Sequence, residues 1–195
     1  ALRHPIGSAP LKDVVQAGDT VAIIVSDITR LVHTAQMLPV IVDELNQAGV
    51  RDEQITVVTA QGTHRAHRPE EDVIVCGEDM VKRVKVVSHD CRDASQLTKI
   101  GTTTHGNDVY LDSHVVQADK VILTGAVSFH PMAGFGGGRK AVLPGVASYE
   151  TIMRNHAMAL TDTFGGGCNP RCETSLLEDN PLHDDMKQAA ALLNP

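Results

Sequence analysis

The chain has 195 residues, 42% apolar, 21% charged and 3% aromatic, the profile of a globular protein and not of a disordered one. Its formal net charge of -7 and pI near 5.7 argue against a nucleic-acid partner or an anionic membrane surface. No apolar run approaches the ~18 residues that span a bilayer, no leader pattern opens the chain, and the four cysteines fit no common zinc spacing, so free thiols in the cytoplasm are expected.

In chain order, Val21-Ala-Ile-Ile-Val-Ser26 reads as a strand buried on both faces. Leu38, Ile41, Val42 and Leu45 share one helical face, with Gly49 as the stop. Ile55–Ala60 is a second strand, Pro69-Glu-Glu opens a short helix that ends near Gly77, and Val84–Ser88 is a third strand. A polar stretch follows, with Gly101 and Gly106 as turn signals, and Lys120–Gly125 is a further buried strand. A helix starts near Tyr149, and the tail from Glu173 to Leu193 is helical in character. Strands alternating with helices predict an α/β fold, a Rossmann-like, mostly parallel sheet with helices on both faces, and one domain over residues 1–195.

Polar clusters follow the strands: Asp27 and Arg30 after the first, Gly62-Thr-His64-Arg after the second, His89-Asp90 after the third, and Ser128-Phe-His130 after the later one. Open α/β sheets bind ligands outside the carboxyl ends of their strands, so four loops are expected to bring His, Asp and Arg to one edge. Plainer readings stand beside this one. Asp27 can cap its turn, His64 can be a solvated loop residue, and His89-Asp90 is favoured as a local hydrogen-bonded turn.

Next come Gly134-Phe-Gly136-Gly137-Gly138-Arg139-Lys140 and the Pro144-Gly145 turn. The run is not a Walker A loop, because Arg139 precedes Lys140 and Ala141 follows it, and it is not the dinucleotide fingerprint. A flexible surface loop is one reading; a backbone cradle for a phosphate-bearing ligand, with a lysine to neutralise or bond it, is the other. His156 shares a helix face with Ile152, Met153 and Leu160, as a core histidine or as a metal ligand in a dry site.

The set Asp27-x-x-Arg30, Gly62-Thr-His64-Arg, His130, Gly-Gly-Arg-Lys140, Leu-Pro-Gly145 and Asn155-His156 resembles the lactate racemase family. That resemblance implies a cofactor: nickel held in a pyridinium-3,5-bisthiocarboxylic acid mononucleotide, the nickel-pincer nucleotide. It implies that Lys140 carries the nucleotide covalently, beside Gly136, Gly137, Gly138 and Arg139, and that His156 is the protein ligand to nickel. His64 and His130 match the two acid/base histidines, and Arg30 matches a substrate-site arginine with Asp27 beside it. The implied reaction is racemisation or epimerisation of a small 2-hydroxy acid through hydride transfer and a planar 2-keto acid, which needs an acid/base on each face. The implied partners are the enzymes that synthesise the cofactor and insert nickel, with no nucleic acid and no membrane. Family members are longer, with a second, C-terminal domain over the cleft. The rival readings are a non-catalytic carrier of the pincer nucleotide, a hydroxy-acid lyase or dehydratase, and a plain phosphate-ester-binding α/β domain.

Overall fold

The computed structural model describes residues 5–161, 163 and 165–195. Strand β1 (Val21–Ser26) is buried at every position but its last, which explains its unbroken apolar sequence. Helix α1 (Thr34–Gln47) turns Leu38, Ile41, Val42 and Leu45 inward and leads to strand β2 (Ile55–Ala60). Helix α2 (Pro69–Cys76) starts with Pro69 in its first turn, where a missing N–H costs nothing. Gly77, at φ 92°, ends it where the sequence reading placed its end, and leads into a second short helix, α3 (Glu78–Arg83), which that reading did not contain. Strand β3 (Lys85–Ser88) follows.

The stretch read as polar and turn-rich is a β-hairpin, β4 (Leu97–Thr102) and β5 (Asp108–Asp112), paired antiparallel with a register shift between Lys99 and Gly101. Helix α4 (Ser113–Val116) then returns the chain to strand β6 (Lys120–Leu123). Two-residue strands β7 (Phe129–His130) and β8 (Gly134–Phe135) make a tight hairpin. Helices α5 (Tyr149–Ala157) and α6 (Pro181–Leu193) complete the chain. The helical tail is therefore shorter than expected: α6 begins only at Pro181, capped by the Asn180 side chain accepting from the His183 N–H.

The main sheet has the order β3-β2-β1-β6, and every pair in it is parallel. Its two faces bury alternate residues of each strand. Val21, Ile23, Val25, Ile55 and Val57 pack with Leu38, Val42, Val75 and Met80 from α1, α2 and α3. Ala22, Ile24 and Val58 face the other way, onto Val115 of α4 and Val146, with Ala141 and Leu193 alongside. Helices thus cover both faces, as the strand–helix alternation predicts. A third apolar cluster joins Val109 and Leu111 of β5 to Val142, Leu143, Ile152, Leu182 and Met186. The segment just after Lys140 is in this way built into the interior.

Candidate active site at the strand ends

β1 lies between β2 and β6, and the chain winds away from it in opposite directions on the two sides. Ligands of doubly wound sheets bind at such a switch point. A cleft of about 540 Å³ opens there, lined by Asp27, Arg30, Gln61–His64, Thr124–Ala126, Ser128, His130, Gly136, Gly137, Lys140 and His156. Three of the four expected loops meet in it. The fourth does not: His89 is 1% exposed, with Nδ1 3.0 Å from Asp112 Oδ2 and Nε2 2.9 Å from the Ala147 carbonyl. It is neither a local turn with Asp90 nor part of the cleft, but a buried tie between the end of β3, β5 and the turn after Pro144.

On the first wall, Asp27 does both things that the sequence left open. It is 3% exposed; its Oδ1 accepts from the Thr29 N–H at 3.1 Å and from the Thr29 hydroxyl at 2.7 Å. Its Oδ2 faces His64 Nδ1 at 2.5 Å. A carboxylate only accepts, so His64 carries a proton on Nδ1, and in the neutral ring the lone pair is at Nε2. The His64 ring is 45% exposed, so it remains accessible to a ligand. Arg30 is exposed on the same turn, with Nη1 donating to Thr29 Oγ1 at 3.1 Å. Gly62 N–H donates to the Gly145 carbonyl at 2.9 Å, tying this wall to the turn that follows Lys140. A Cβ on Gly145 would stand 2.2 Å from the Ala141 carbonyl oxygen, so the tie requires glycine there.

The second wall carries no carboxylate among its lining residues. His130 Nδ1 accepts from the Met132 and Ala133 amides at 3.2 and 3.0 Å, which puts the proton of the neutral ring on Nε2. That atom is 3.3 Å from Lys140 Nζ. Burial, then the charges of Lys140 and Arg30, push His130 down to about 4. Burial, then Arg139 and Arg30, push Lys140 down to about 8, which raises its free-amine fraction and so its nucleophilicity.

The glycine run is packed, not free. A Cβ on Gly136 would meet Ser128 Oγ at 3.1 Å, and one on Gly137 (φ 78°) would meet the Ala126 carbonyl at 3.0 Å. Gly138 and Arg139 do not line the cleft. Arg139 is turned inward, its Nη2 donating to the Ala133 and Phe135 carbonyls at 2.9 and 3.1 Å, so it fastens the loop. His156 Nδ1 donates to the Ile152 carbonyl at 2.8 Å, leaving Nε2 with a lone pair on a residue that lines the cleft. Fixing one ring nitrogen on a carbonyl is how a metal-binding histidine is oriented. Cleft residues that sequence reasoning missed include Thr124 and Gln61. Gln61 Nε2 donates to Thr59 Oγ1 at 3.0 Å, while its Oε1 is buried without a partner among the described residues.

Residues 1–165 match the family model described as the lactate racemase N-terminal domain. The chain belongs to that family. It is 35% identical over 194 residues to the lactate racemase of Thermoanaerobacterium thermosaccharolyticum, covering 100% of this chain and 44% of that protein. It is 37% identical over 190 residues to the lactate racemase of Lactiplantibacillus plantarum, covering 97% of this chain and 43% of that protein. The chain therefore spans less than half the length of the curated relatives that it matches. The solved structure of the T. thermosaccharolyticum lactate racemase apoprotein superposes with a TM-score of 0.90 over 100% of this chain and 45% of that one. A Thermotoga maritima protein, 23% identical, shares the fold at a TM-score of 0.72 over 94% of this chain and 45% of that one.

The residues present fit the group that the family implies. Among the described residues no three His, Cys, Asp or Glu side chains come together as a metal site, so a nickel ion here would need a non-protein group to complete its coordination. His156 Nε2 could supply a nitrogen, and Lys140 an amine that has no carboxylate partner among the described residues. Gly136 and Gly137 line the cleft with backbone alone, and the buried Gln61 Oε1 has no partner among the described residues. All four cysteines are free, and only Cys168 is exposed. Among the described residues no helix is long and apolar enough to cross a membrane.

Proposed function

We propose that this chain is the catalytic, cofactor-bearing N-terminal domain of a 2-hydroxy acid racemase or epimerase that uses a nickel-pincer nucleotide. One observation carries the reading: His64 and His130 arrive from strands on opposite sides of β1 and line one cleft with Arg30, Lys140 and His156. The names of the two curated relatives support a lactate-like substrate.

Lys140 would hold the nucleotide covalently and His156 Nε2 would ligate the nickel. When bound, the group supplies a reversible acceptor for the hydride at C2 of the substrate. The chain's own residues do the rest. The guanidinium of Arg30 pairs with the substrate carboxylate, a geometry suited to two parallel hydrogen bonds. His64 takes the hydroxyl proton on Nε2, and Asp27 stabilises the imidazolium that forms and keeps the ring oriented. His130 supplies the second acid/base position, on the far side of β1, for the other enantiomer; to act as a base it takes the tautomer with the lone pair on Nε2 and releases the Met132 and Ala133 amides. Removing the charge of Lys140 by acylation takes away a neighbour that depresses His130, which returns its ring toward the working pH range.

A pure cofactor carrier would need Lys140 and His156 but no oriented base. The buried Asp27 spent on His64 therefore favours the enzyme. The proposed partners are the enzymes that build the nucleotide and insert nickel, and four unpaired thiols suit a cytoplasmic setting. The test is the intact mass and nickel content of the full-length protein purified from its native host. A mass increment mapped to Lys140 with about one nickel per chain, as single-histidine ligation requires, supports the reading. An unmodified chain without nickel from that host overturns it.

A further inference from the structure

The turn that presents Asp27 and Arg30 is held from behind by a second acid–histidine pair. The His67 ring is 1% exposed. Its Nε2 accepts the Ile28 backbone N–H at 2.9 Å, and its Nδ1 faces Asp72 Oδ1 at 2.9 Å. A backbone N–H can only donate, so Nε2 holds the lone pair and the Nδ1 proton goes to Asp72. The backbone N–H of His67 donates to Ser88 Oγ at 3.2 Å, anchoring the ring's own segment to the end of β3. His67 does not line the cleft.

Ile28 opens the short 3-10 turn Ile28–Arg30, whose cap is Asp27. The N–H groups at the start of such a turn need partners. The Asp27 carboxylate already serves Thr29 with one oxygen and His64 with the other. Without His67, the Ile28 N–H would compete for that carboxylate or stay buried and unpaired. We infer that His67, with its tautomer fixed by Asp72, is a positioning residue: it takes the Ile28 N–H so that Asp27 keeps an oxygen for His64 and Arg30 stays on the cleft wall. The consequence for turnover rests on the racemase reading; the effect on His64 does not.

The test compares His67→Gln, whose Oε1 can still accept the Ile28 N–H, with His67→Leu, which cannot, both in the full-length protein. The first readout is the imidazole ¹⁵N shifts of His64 in ¹⁵N-histidine-labelled protein, without cofactor. His67→Leu is expected to move them, and His67→Gln to restore most of the shift. The second readout is KM against kcat for D- and L-lactate in loaded protein. Here His67→Leu should raise KM about tenfold, the size of one lost buried hydrogen bond, with the Lys140 mass increment unchanged. Unmoved His64 shifts in His67→Leu, or a His67→Gln variant as impaired as His67→Leu, overturns the inference. If His67→Leu does not fold, Asp72→Ala replaces it, and unmoved His64 shifts there are equally fatal. Wild-type protein that carries the cofactor but racemises no lactate counts against the racemase reading alone, and the ¹⁵N comparison still decides the role of His67.

Discussion

The two walls of the cleft each present a histidine, and the electrostatic settings are opposite. His64 donates a hydrogen bond from Nδ1 to a buried carboxylate, which in the neutral ring leaves the lone pair at Nε2. His130 accepts two backbone amides at Nδ1 and faces an amine at Nε2, with cations around it and burial pressing it down to about 4. The first wall has its histidine oriented before any ligand arrives. The second is poised by Lys140, the same residue proposed to carry the cofactor. One residue type thus gains two characters from its surroundings, the second set first by burial and then by the cations beside it, Lys140 foremost.

The largest effect should come from Lys140→Ala in full-length protein produced with the cofactor-building enzymes. The covalent mass increment is expected to vanish, and turnover with it; a retained increment would move the attachment elsewhere. His64→Ala should keep the increment and lower kcat by ~10²–10⁴, the usual share of a general base. Asp27→Asn should cost less, about 10–100-fold, because it disturbs the orientation of His64 without removing the ring. If His64→Ala leaves the rate of both enantiomers intact, the first wall is not a base at all.

The second wall is sharpened by titration. In the unloaded protein, Lys140→Met keeps the burial of His130 and removes the nearest positive charge, so its midpoint should rise above about 4 by histidine NMR. The sign for stability follows. The unfolded chain binds a proton near 6.5 and the native ring only near 4, so the unfolded state holds more protons between these values. Stability should therefore fall as pH drops from about 6.5 toward about 4, with a shallower slope in Lys140→Met, as read from urea melts. An equal slope in both proteins would assign the depression to burial and the remaining cations, not to Lys140. Gly145→Ala tests the tie between the walls, since its Cβ would overlap the Ala141 carbonyl; a loss of ~1–3 kcal/mol in urea melts is expected. At the small end, Lys82→Ala breaks the exposed pair with Glu78 and should change stability by less than ~1 kcal/mol.

Much of the fold was legible because its signals are local. β1, β2 and β6 announce themselves as apolar runs, and α1 by its spacing. The hairpin was missed because Gly101 and Gly106 outweighed a readable alternation, in which Val109 and Leu111 point inward while Asp108 and Tyr110 point out. In the site, the spacing of His64, His130, Lys140 and His156 carried the resemblance, and all four line the cleft. What escaped was the direction of individual side chains. Arg139 turns to carbonyls of its own loop, His89 is buried on Asp112, and His67 meets a backbone N–H 39 residues earlier in the chain. Each depends on contacts that exist only after the layers have packed.

Lys140 stands on a short 3-10 turn, Gly138–Ala141, whose next residues Val142, Leu143 and Val146 are fully buried beneath the sheet and the hairpin. Anyone grafting this cleft onto another scaffold would have to transplant that foundation too, because a copied surface loop would leave the amine without the floor that keeps it dehydrated. The same continuity makes a melting curve a gauge of chemistry at Lys140, since anything bonded there sits two residues from the fully buried Val142.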